Sequence, residues 1–147
     1  LCQIGGSRIG KIKPENIAYI GLRDVDPEEK IRLREMNIAA FSMKEVDRFG
    51  IGEICQRAFE VVSQDTHGFY MSYDLDVCDP SLAPGVGTPV RGGLTYREAH
   101  LVMELVAEQE NFLSFDFVEL NPSLDSGDAS CELAKALLLS AFGKTIL

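Results

Sequence analysis

Two aspartates one residue apart, Asp74 and Asp76, follow an aromatic and apolar run that begins at Phe69. A loop rich in Gly and Pro comes next, so the two carboxylates are predicted at the carboxyl end of a strand. Carboxylate oxygens are the ligands that hard divalent cations prefer. Asp is also common where strands stop, because its side chain caps turns. The pair alone therefore leaves a metal site and a structural cap both open.

The rest of the chain alternates predicted strands and helices. Apolar runs predict strands, and helices are predicted where N-capping residues precede apolar stripes. This alternation predicts an α/β domain with a parallel sheet. The predicted strands cover residues 17–22, 37–41, 69–75 and 112–120, and the predicted helices open at Asp26, Ser42, Thr95 and about Asp128, the second being interrupted near Gly50 and Gly52.

Acidic residues occur at the carboxyl ends of three of these strands. Asp24 and Asp26 follow the first, Asp74 and Asp76 the third, and Glu119 the fourth. In open α/β sheets, ligands bind beyond the carboxyl ends of the strands. Carboxylates that converge there repel one another unless cations lie between them. Their positions favour a cation site at this edge.

Composition excludes several other classes of function. The chain has 147 residues and a net charge of −9, which disfavours binding to a phosphate backbone. No apolar run reaches the length of a membrane span. The four cysteines lie far apart, which predicts reduced thiols in a cytoplasmic protein and no thiolate zinc site. A start at Leu1 instead of Met suggests a piece of a longer polypeptide.

The loop after the two aspartates is not a nucleotide-binding loop. A G-x-G-x-x-G pattern starting at Gly85 would require Gly at position 90, which is Val, and no P-loop Lys-Ser/Thr pair follows. The glycines either let the backbone approach a small ligand closely or form an irregular connection. Thr88 is the residue of this loop that could direct a hydroxyl towards the acids.

Several longer motifs, in register from about residue 17 to the end, resemble the ureohydrolase family and most closely its arginases. They are Gly21-Leu-Arg-Asp-Val-Asp26-Pro-x-Glu29, Phe41-Ser-Met-x-Glu-Val-Asp47-Arg, Ser72-Tyr-Asp74-Leu-Asp76-x-x-Asp79-Pro80, Ala83-Pro-Gly-x-Gly87-Thr88-Pro89, Gly92-Gly93-Leu-Thr-Tyr-Arg-Glu98 and Val118-Glu119-x-Asn121-Pro122-Ser-Leu. The resemblance implies a three-layer α/β/α fold with a mainly parallel sheet. It also implies that residues 1–147 are the carboxyl-terminal part of one ureohydrolase domain.

The resemblance further implies a two-manganese enzyme that hydrolyses L-arginine to L-ornithine and urea. Asp74 would bridge the two ions and Asp76 would bind one of them. Glu119 would be the catalytic carboxylate that pairs with the substrate guanidinium, assisted by Thr88. A second group of family residues would bind the other end of the substrate: Asp26 the α-amino group, and Glu29 through water.

The family's remaining metal ligands, two His and two Asp, are expected in an amino-terminal half that these 147 residues do not include. Neither His67 nor His100 matches them: His67 is predicted in a solvated loop and His100 in surface or core packing. The chain alone is therefore expected to bind manganese weakly and to be inactive. A strand followed by Asp-Ala-His-x-Asp, upstream of Leu1, would complete the metal site.

Other interpretations stay open. An agmatinase or another guanidino-hydrolase is the alternative within the family, although the motif around Asp26 favours arginase. Phosphoaspartate phosphatases and metal-dependent sugar transferases also carry Asp-x-Asp, but the expected Thr or Val of the former is Cys78 here. A non-catalytic fragment with an exposed edge strand is a further alternative. The family resemblance implies a homotrimer or homohexamer and a small guanidino substrate.

Overall fold

The computed structural model describes residues 12–125 and 127–147. Within them, strands and helices alternate as the sequence predicts. In chain order the elements are β1 (Ala18–Leu22), α1 (Pro27–Glu35), β2 (Ala39–Ser42), α2 (Met43–Phe49), α3 (Ile51–Ser63), β3 (Phe69–Asp74), α4 (Tyr96–Ala107), β4 (Phe112–Val118) and α5 (Ala129–Ala141). Single 3₁₀ turns occupy Pro14–Asn16, Leu75–Val77 and Pro122–Leu124.

Local sequence explains where most helices begin. Capping boxes form at Ser42 with Glu45 and at Thr95 with Glu98, so α2 and α4 start where predicted. Gly50 separates α2 from α3 with a φ of 82°. Such a left-handed conformation suits glycine, which has no Cβ to clash.

Two predicted strand boundaries are wrong by two residues. The second strand starts at Ala39 instead of residue 37, because Asn37 has a φ of 51° and ends α1 in the left-handed conformation. The fourth strand ends at Val118 instead of residue 120, because Glu119 has a φ of 64°. Both residues leave the extended conformation, so neither can continue a ladder.

The strands form two separate parallel pairs instead of one sheet among the described residues. β1 pairs with β2 and β3 pairs with β4. Both pairs are parallel, as predicted for an α/β protein. A cavity of about 580 Å³ separates β1 from β3, and its walls include residues of both strands and of α3 and α4. We call it the β1–β3 cleft.

The core lies between the strands and helices α3, α4 and α5. Ile54, Leu75, Met103 and Leu137 are fully buried there. Phe59 of α3 stacks on Phe69 of β3 with ring centroids 5.5 Å apart, which fixes the helix against the start of the strand. These contacts hold β3 and the turn that follows it in one position.

The cysteines agree with the prediction of free thiols. Cys55 and Cys78 are buried, Cys131 is half-buried, and none of the three forms a disulfide. Cys2 lies outside the described residues. Burial raises the pKa of the Cys55 thiol to about 12, so this group stays protonated at neutral pH. In the part of the chain that the structure describes, no helix has the length and hydropathy needed to cross a bilayer.

Candidate metal and substrate site

Asp74 and Asp76 lie at the carboxyl end of β3, on either side of a buried leucine. Asp74 is the last residue of the strand, and its Oδ1 accepts a hydrogen bond of 2.9 Å from the backbone N–H of Asp76. Leu75 between them is fully buried and anchors the turn in the core. The capping role and the metal role considered for this pair are thus compatible, since Asp74 caps the turn with only one of its oxygens.

One oxygen of Asp76 has a partner and the other has none. Thr88 donates its hydroxyl to Asp76 Oδ2 at 2.6 Å. Asp76 Oδ1 is buried and has no hydrogen-bond partner. A buried carboxylate oxygen without a donor is costly, and a cation at this position would compensate it. Thr88 therefore does direct its hydroxyl towards the acids, as predicted from the loop sequence.

The loop that carries Thr88 is fastened to the turn after β3. Asp79 N–H donates to the Leu94 carbonyl at 3.0 Å and Leu94 N–H to the Val77 carbonyl at 2.8 Å. Asp79 Oδ2 also accepts from Gly92 N–H at 2.9 Å. A Cβ on Gly93 would come within 2.5 Å of main-chain atoms of Val77, so only glycine fits this crossing.

Glu119 reaches the same edge from the end of β4. A Cβ built on Gly87 would lie 3.4 Å from Glu119 Oε2, so the carboxylate lies directly beside the Thr88 loop. Glu119 has a left-handed backbone conformation, with a φ of 64°. This conformation is rare for a residue with a side chain, and such residues cluster at functional sites.

The charges of Asp76 and Glu119 both act on the Asp74 carboxyl. Burial raises the pKa of the Asp74 carboxyl above its ordinary value, and the negative charges of Asp76 and Glu119 raise it further. The Asp76 N–H bond and the positive charge of Arg23 act in the opposite direction. The site therefore favours a cation among these groups.

The structure places Asp26 and Glu29 in a different depression from the β1–β3 cleft. Both are exposed, and they line a hollow of about 560 Å³ at the start of α1 together with Pro27, Glu28 and Arg32. Asp26 stands at the N-cap position, but its carboxylate makes no capping hydrogen bond. That carboxylate is therefore not engaged in holding the helix, and its predicted substrate role stays a prediction.

Arg23 is a structural determinant of the site that residue types alone did not single out. It lies just after β1, and its guanidinium donates to the backbone carbonyl of Val90 from Nε at 3.1 Å and from Nη2 at 2.9 Å. Nη2 also donates to the Asp76 carbonyl. Arg23 thus joins the end of β1 to the turn after β3 and to the Thr88 loop. The feature of the sequence that could have indicated this role is the position of Arg23, directly before the acidic residues Asp24 and Asp26 at the end of a predicted strand.

The carboxylate oxygens of Asp74 and Asp76 are of the type that hard divalent cations prefer. Among residues 12–125 and 127–147, no group of three or more His, Cys, Asp or Glu side chains is arranged to hold a metal. His67 is exposed, and His100 is buried, with Nδ1 3.0 Å from Ser140 Oγ. These positions agree with the predicted solvated loop for His67 and with core packing for His100.

Comparison with known proteins identifies the family. The model of the arginase family matches residues 7–143. The chain belongs to the arginase family. The arginase of Bacillus caldovelox is 47% identical over 147 residues, which are 100% of this chain and 49% of that protein. The arginase of Glaciozyma antarctica is 44% identical over 140 residues, covering 92% of this chain and 41% of that protein.

The solved structure of the Bacillus caldovelox arginase confirms the fold. It superposes with a TM-score of 0.92 over 99% of this chain and 48% of the relative. The α/β fold predicted from the arginase-like motifs is therefore confirmed. The chain spans about half the length of the curated relatives that it matches.

Proposed function

We propose that the protein to which this chain belongs is a manganese-dependent hydrolase that converts L-arginine to L-ornithine and urea. The observation that carries this proposal is the Asp74–Asp76 pair, with its buried unpartnered Asp76 oxygen, in a chain of the arginase family. Since the chain spans about half of its relatives, we propose that it supplies part of the site and is inactive alone.

Asp74 and Asp76 would hold the metal through carboxylate oxygens. Their negative charges repel one another in the absence of a cation, which supports a cation there. When bound, a pair of manganese ions supplies hydroxide near neutral pH by lowering the pKa of water. Thr88 and the turn at Leu75 fix the direction of the Asp76 carboxylate before any ion arrives.

Glu119 would orient the substrate. A carboxylate facing a planar guanidinium forms charge-assisted hydrogen bonds in a fixed geometry. Such a pair holds the guanidinium carbon in position for attack. Thr88, on the adjacent loop, would assist at the same end of the substrate, while Asp26 would bind the α-amino group and Glu29 would act through water.

A single-chain chimera tests this proposal. The half of the Bacillus caldovelox arginase that lies outside the match is joined to residues 1–147, loaded with Mn²⁺, and assayed for urea release from arginine and from agmatine. We expect urea from arginine and at least about tenfold less from agmatine, which lacks the α-carboxylate. If the folded chimera prefers agmatine, the proposed activity would be that of an agmatinase instead of an arginase. A folded, manganese-loaded chimera that releases no urea from either would refute the proposal.

Two variants of the chimera separate the proposed roles. Glu119→Gln keeps the shape but removes the charge that pairs with the guanidinium, so kcat/KM should fall by about 10²-fold or more. Asp116→Asn is the control, because Asp116 is an exposed acid on β4. Equal activities of the two variants would contradict the role of Glu119.

We also propose a homotrimeric or homohexameric assembly in the cytoplasm. The family resemblance supports the assembly, and the reduced buried thiols Cys55 and Cys78 are compatible with a reducing compartment. Light scattering on the chimera measures the assembly, and cell fractionation with an antibody against the chain measures the location.

A further inference from the structure

Gly85 lies where two loops of the candidate site meet. One loop continues from Gly85 to Thr88, and the other begins with Glu119 directly after β4. The backbone N–H of Asn121 donates to the Gly85 carbonyl at 2.8 Å. In the described part of the chain, this is the one backbone hydrogen bond that joins the two loops. The bond therefore helps to set where Glu119 lies relative to Thr88.

The backbone N–H of Gly85 is held by helix α5. It donates to Ser130 Oγ at 2.7 Å. Ser130 is the second residue of α5 and is fully buried. A buried N–H that loses its acceptor bears the full cost of its desolvation, so this contact resists opening. Ser130 thus attaches the Thr88 loop to the core.

Ser130 is itself held in place by Asp125, which is only 8% exposed. Asp125 Oδ2 accepts hydrogen bonds from the backbone N–H of Ser130 at 2.6 Å and of Cys131 at 3.4 Å. These amides belong to the first turn of α5, where the helix supplies no acceptor of its own. We call Gly85, Asn121, Asp125 and Ser130 the Gly85 junction.

The Gly85 junction has room for glycine only. A Cβ built on Gly85 would lie 2.6 Å from Asp125 Cβ, 3.0 Å from Ser130 Oγ and 3.1 Å from the Asn121 carbonyl oxygen. Carbon atoms in favourable contact are about 3.5–4.0 Å apart, so the first of these distances is a clash. The Thr88 loop is therefore packed directly against α5 and the loop after β4.

The two loops carry groups whose relative position matters for the proposed reaction. Thr88 donates to Asp76 Oδ2 at 2.6 Å, and a Cβ built on Gly87 would lie 3.4 Å from Glu119 Oε2. In the proposed function, Asp76 is a metal ligand and Glu119 pairs with the guanidinium. A misplacement of about 1 Å between such groups can cost about 10²-fold in rate.

Ser130 has no exposed surface, so it cannot touch a substrate and can act only through its neighbours. We propose that Ser130 is a positioning residue for guanidinium recognition. Acting through Gly85, it fixes Thr88 and Asp76 relative to Glu119. This inference rests on the proposed hydrolysis of a guanidino substrate.

Hydrogen exchange followed by NMR measures the contact in the 147-residue chain without metal or substrate. Ser130→Ala removes the acceptor, so the Gly85 amide should exchange at least about tenfold faster relative to the Leu137 amide in the core of α5. Ser140→Ala is the matched control, because Ser140 is also a buried serine of α5 but contacts His100. It should change this ratio by less than about twofold. Equal ratios in the two variants would overturn the proposal.

The chimera with the Bacillus caldovelox half measures the consequence for catalysis. Ser130→Ala should lower kcat/KM for arginine by at least about tenfold, and Ser140→Ala by less than about twofold. Gly85→Ala disturbs the same contact from the other side and should cause a loss similar to that of Ser130→Ala. Circular dichroism checks that each variant is folded.

A double-mutant cycle separates positioning from a general loss of stability. If Ser130 acts by placing the site relative to Glu119, Ser130→Ala should lower kcat/KM by less than about threefold once Glu119→Gln is present. A merely structural role would give the same factor in both backgrounds, and that result would overturn the proposal. Equal activities of Ser130→Ala and Ser140→Ala would overturn it too. Failure of the proposed function is distinguishable, since the unsubstituted chimera would then release no urea.

Discussion

Replacing Arg23 by methionine should destabilise the sheet edge that carries Asp74 and Asp76. The Arg23 guanidinium joins the end of β1 both to the turn after β3 and to the Thr88 loop. Methionine keeps much of the aliphatic stem but removes every donor. The strongest of the lost bonds are those to the carbonyls of Val90 and Asp76, since the bonds to the carbonyls of Gly21 and Cys78 are 3.5 Å long. An acceptor left without its donor costs about 1–3 kcal/mol, and the low end applies because the site is only partly buried. Two such acceptors give a loss of about 2–3 kcal/mol in the free energy of unfolding.

Urea denaturation of the chain measures this loss. The sequence contains no Trp, so far-UV circular dichroism is the suitable signal. With a slope of about 2 kcal/mol per M of urea, the midpoint of Arg23→Met should fall by about 1–1.5 M. Arg23→Lys keeps the charge without the planar donor fork and should recover only part of the loss.

Arg91→Met is the matched control, since Arg91 is an exposed arginine of the same loop. Its free energy of unfolding should change by less than about 0.5 kcal/mol. If Arg23→Met and Arg91→Met have the same midpoint, the reasoning that Arg23 holds the edge together is refuted.

Four other substitutions test the loop and the core. Gly93→Ala should cost about 1–3 kcal/mol in urea denaturation because its Cβ would meet main-chain atoms, whereas Gly52→Ala, whose Cβ comes no closer than 3.9 Å to a neighbour, should stabilise α3 by up to about 1 kcal/mol. Burial lowers the pKa of His100, so the folded state favours the neutral ring. The free energy of unfolding should therefore decrease as pH falls below about 6.5. The variant His100→Gln should lack this contribution to the decrease between about pH 7.5 and 5.5. The hydroxyl of Ser81, assisted by backbone N–H groups, lowers the pKa of Asp79 to about 2. The stability that Asp79 contributes is full above about pH 4 and is lost as pH falls towards 2, so the thermal midpoints of the wild type and Asp79→Asn should converge over that range.

Each of these has a contradicting result. Equal midpoint shifts for the two glycine variants would show that the crossing at Gly93 is not tight. Parallel pH profiles for the wild type and His100→Gln would show that folding does not lower the pKa of the histidine. A constant difference between Asp79→Asn and the wild type from pH 6 to 2 would exclude the carboxylate as its source.

The order of elements was predictable because their signals are local. Capping boxes at Ser42 and Thr95 and apolar runs before Asp74 and Glu119 depend on neighbours in sequence, and the structure confirms those elements. The boundaries at Asn37 and Glu119 were missed because a positive φ depends on how the next segment must turn.

The division into two strand pairs was not predictable from the residues alone. Pairing between β1 and β3 depends on what lies between them, and periodicity within each strand contains no information about that. In the site, Asp74 and Asp76 could be found by their spacing, and Thr88 by its position in the loop. The role of Arg23 could not be predicted because it depends on hydrogen bonds to the backbone carbonyls of Val90 and Asp76, which are far along the chain and which residue type does not reveal.

Calorimetric titration with Mn²⁺ tests most directly whether Asp74 and Asp76 are two ligands of a larger site. The chain alone and the chimera with the missing half are titrated under the same conditions. We predict weak binding without a defined stoichiometry for the chain, and two tight ions for the chimera that Asp76→Asn weakens. Two tight Mn²⁺ sites on the 147-residue chain would contradict the account.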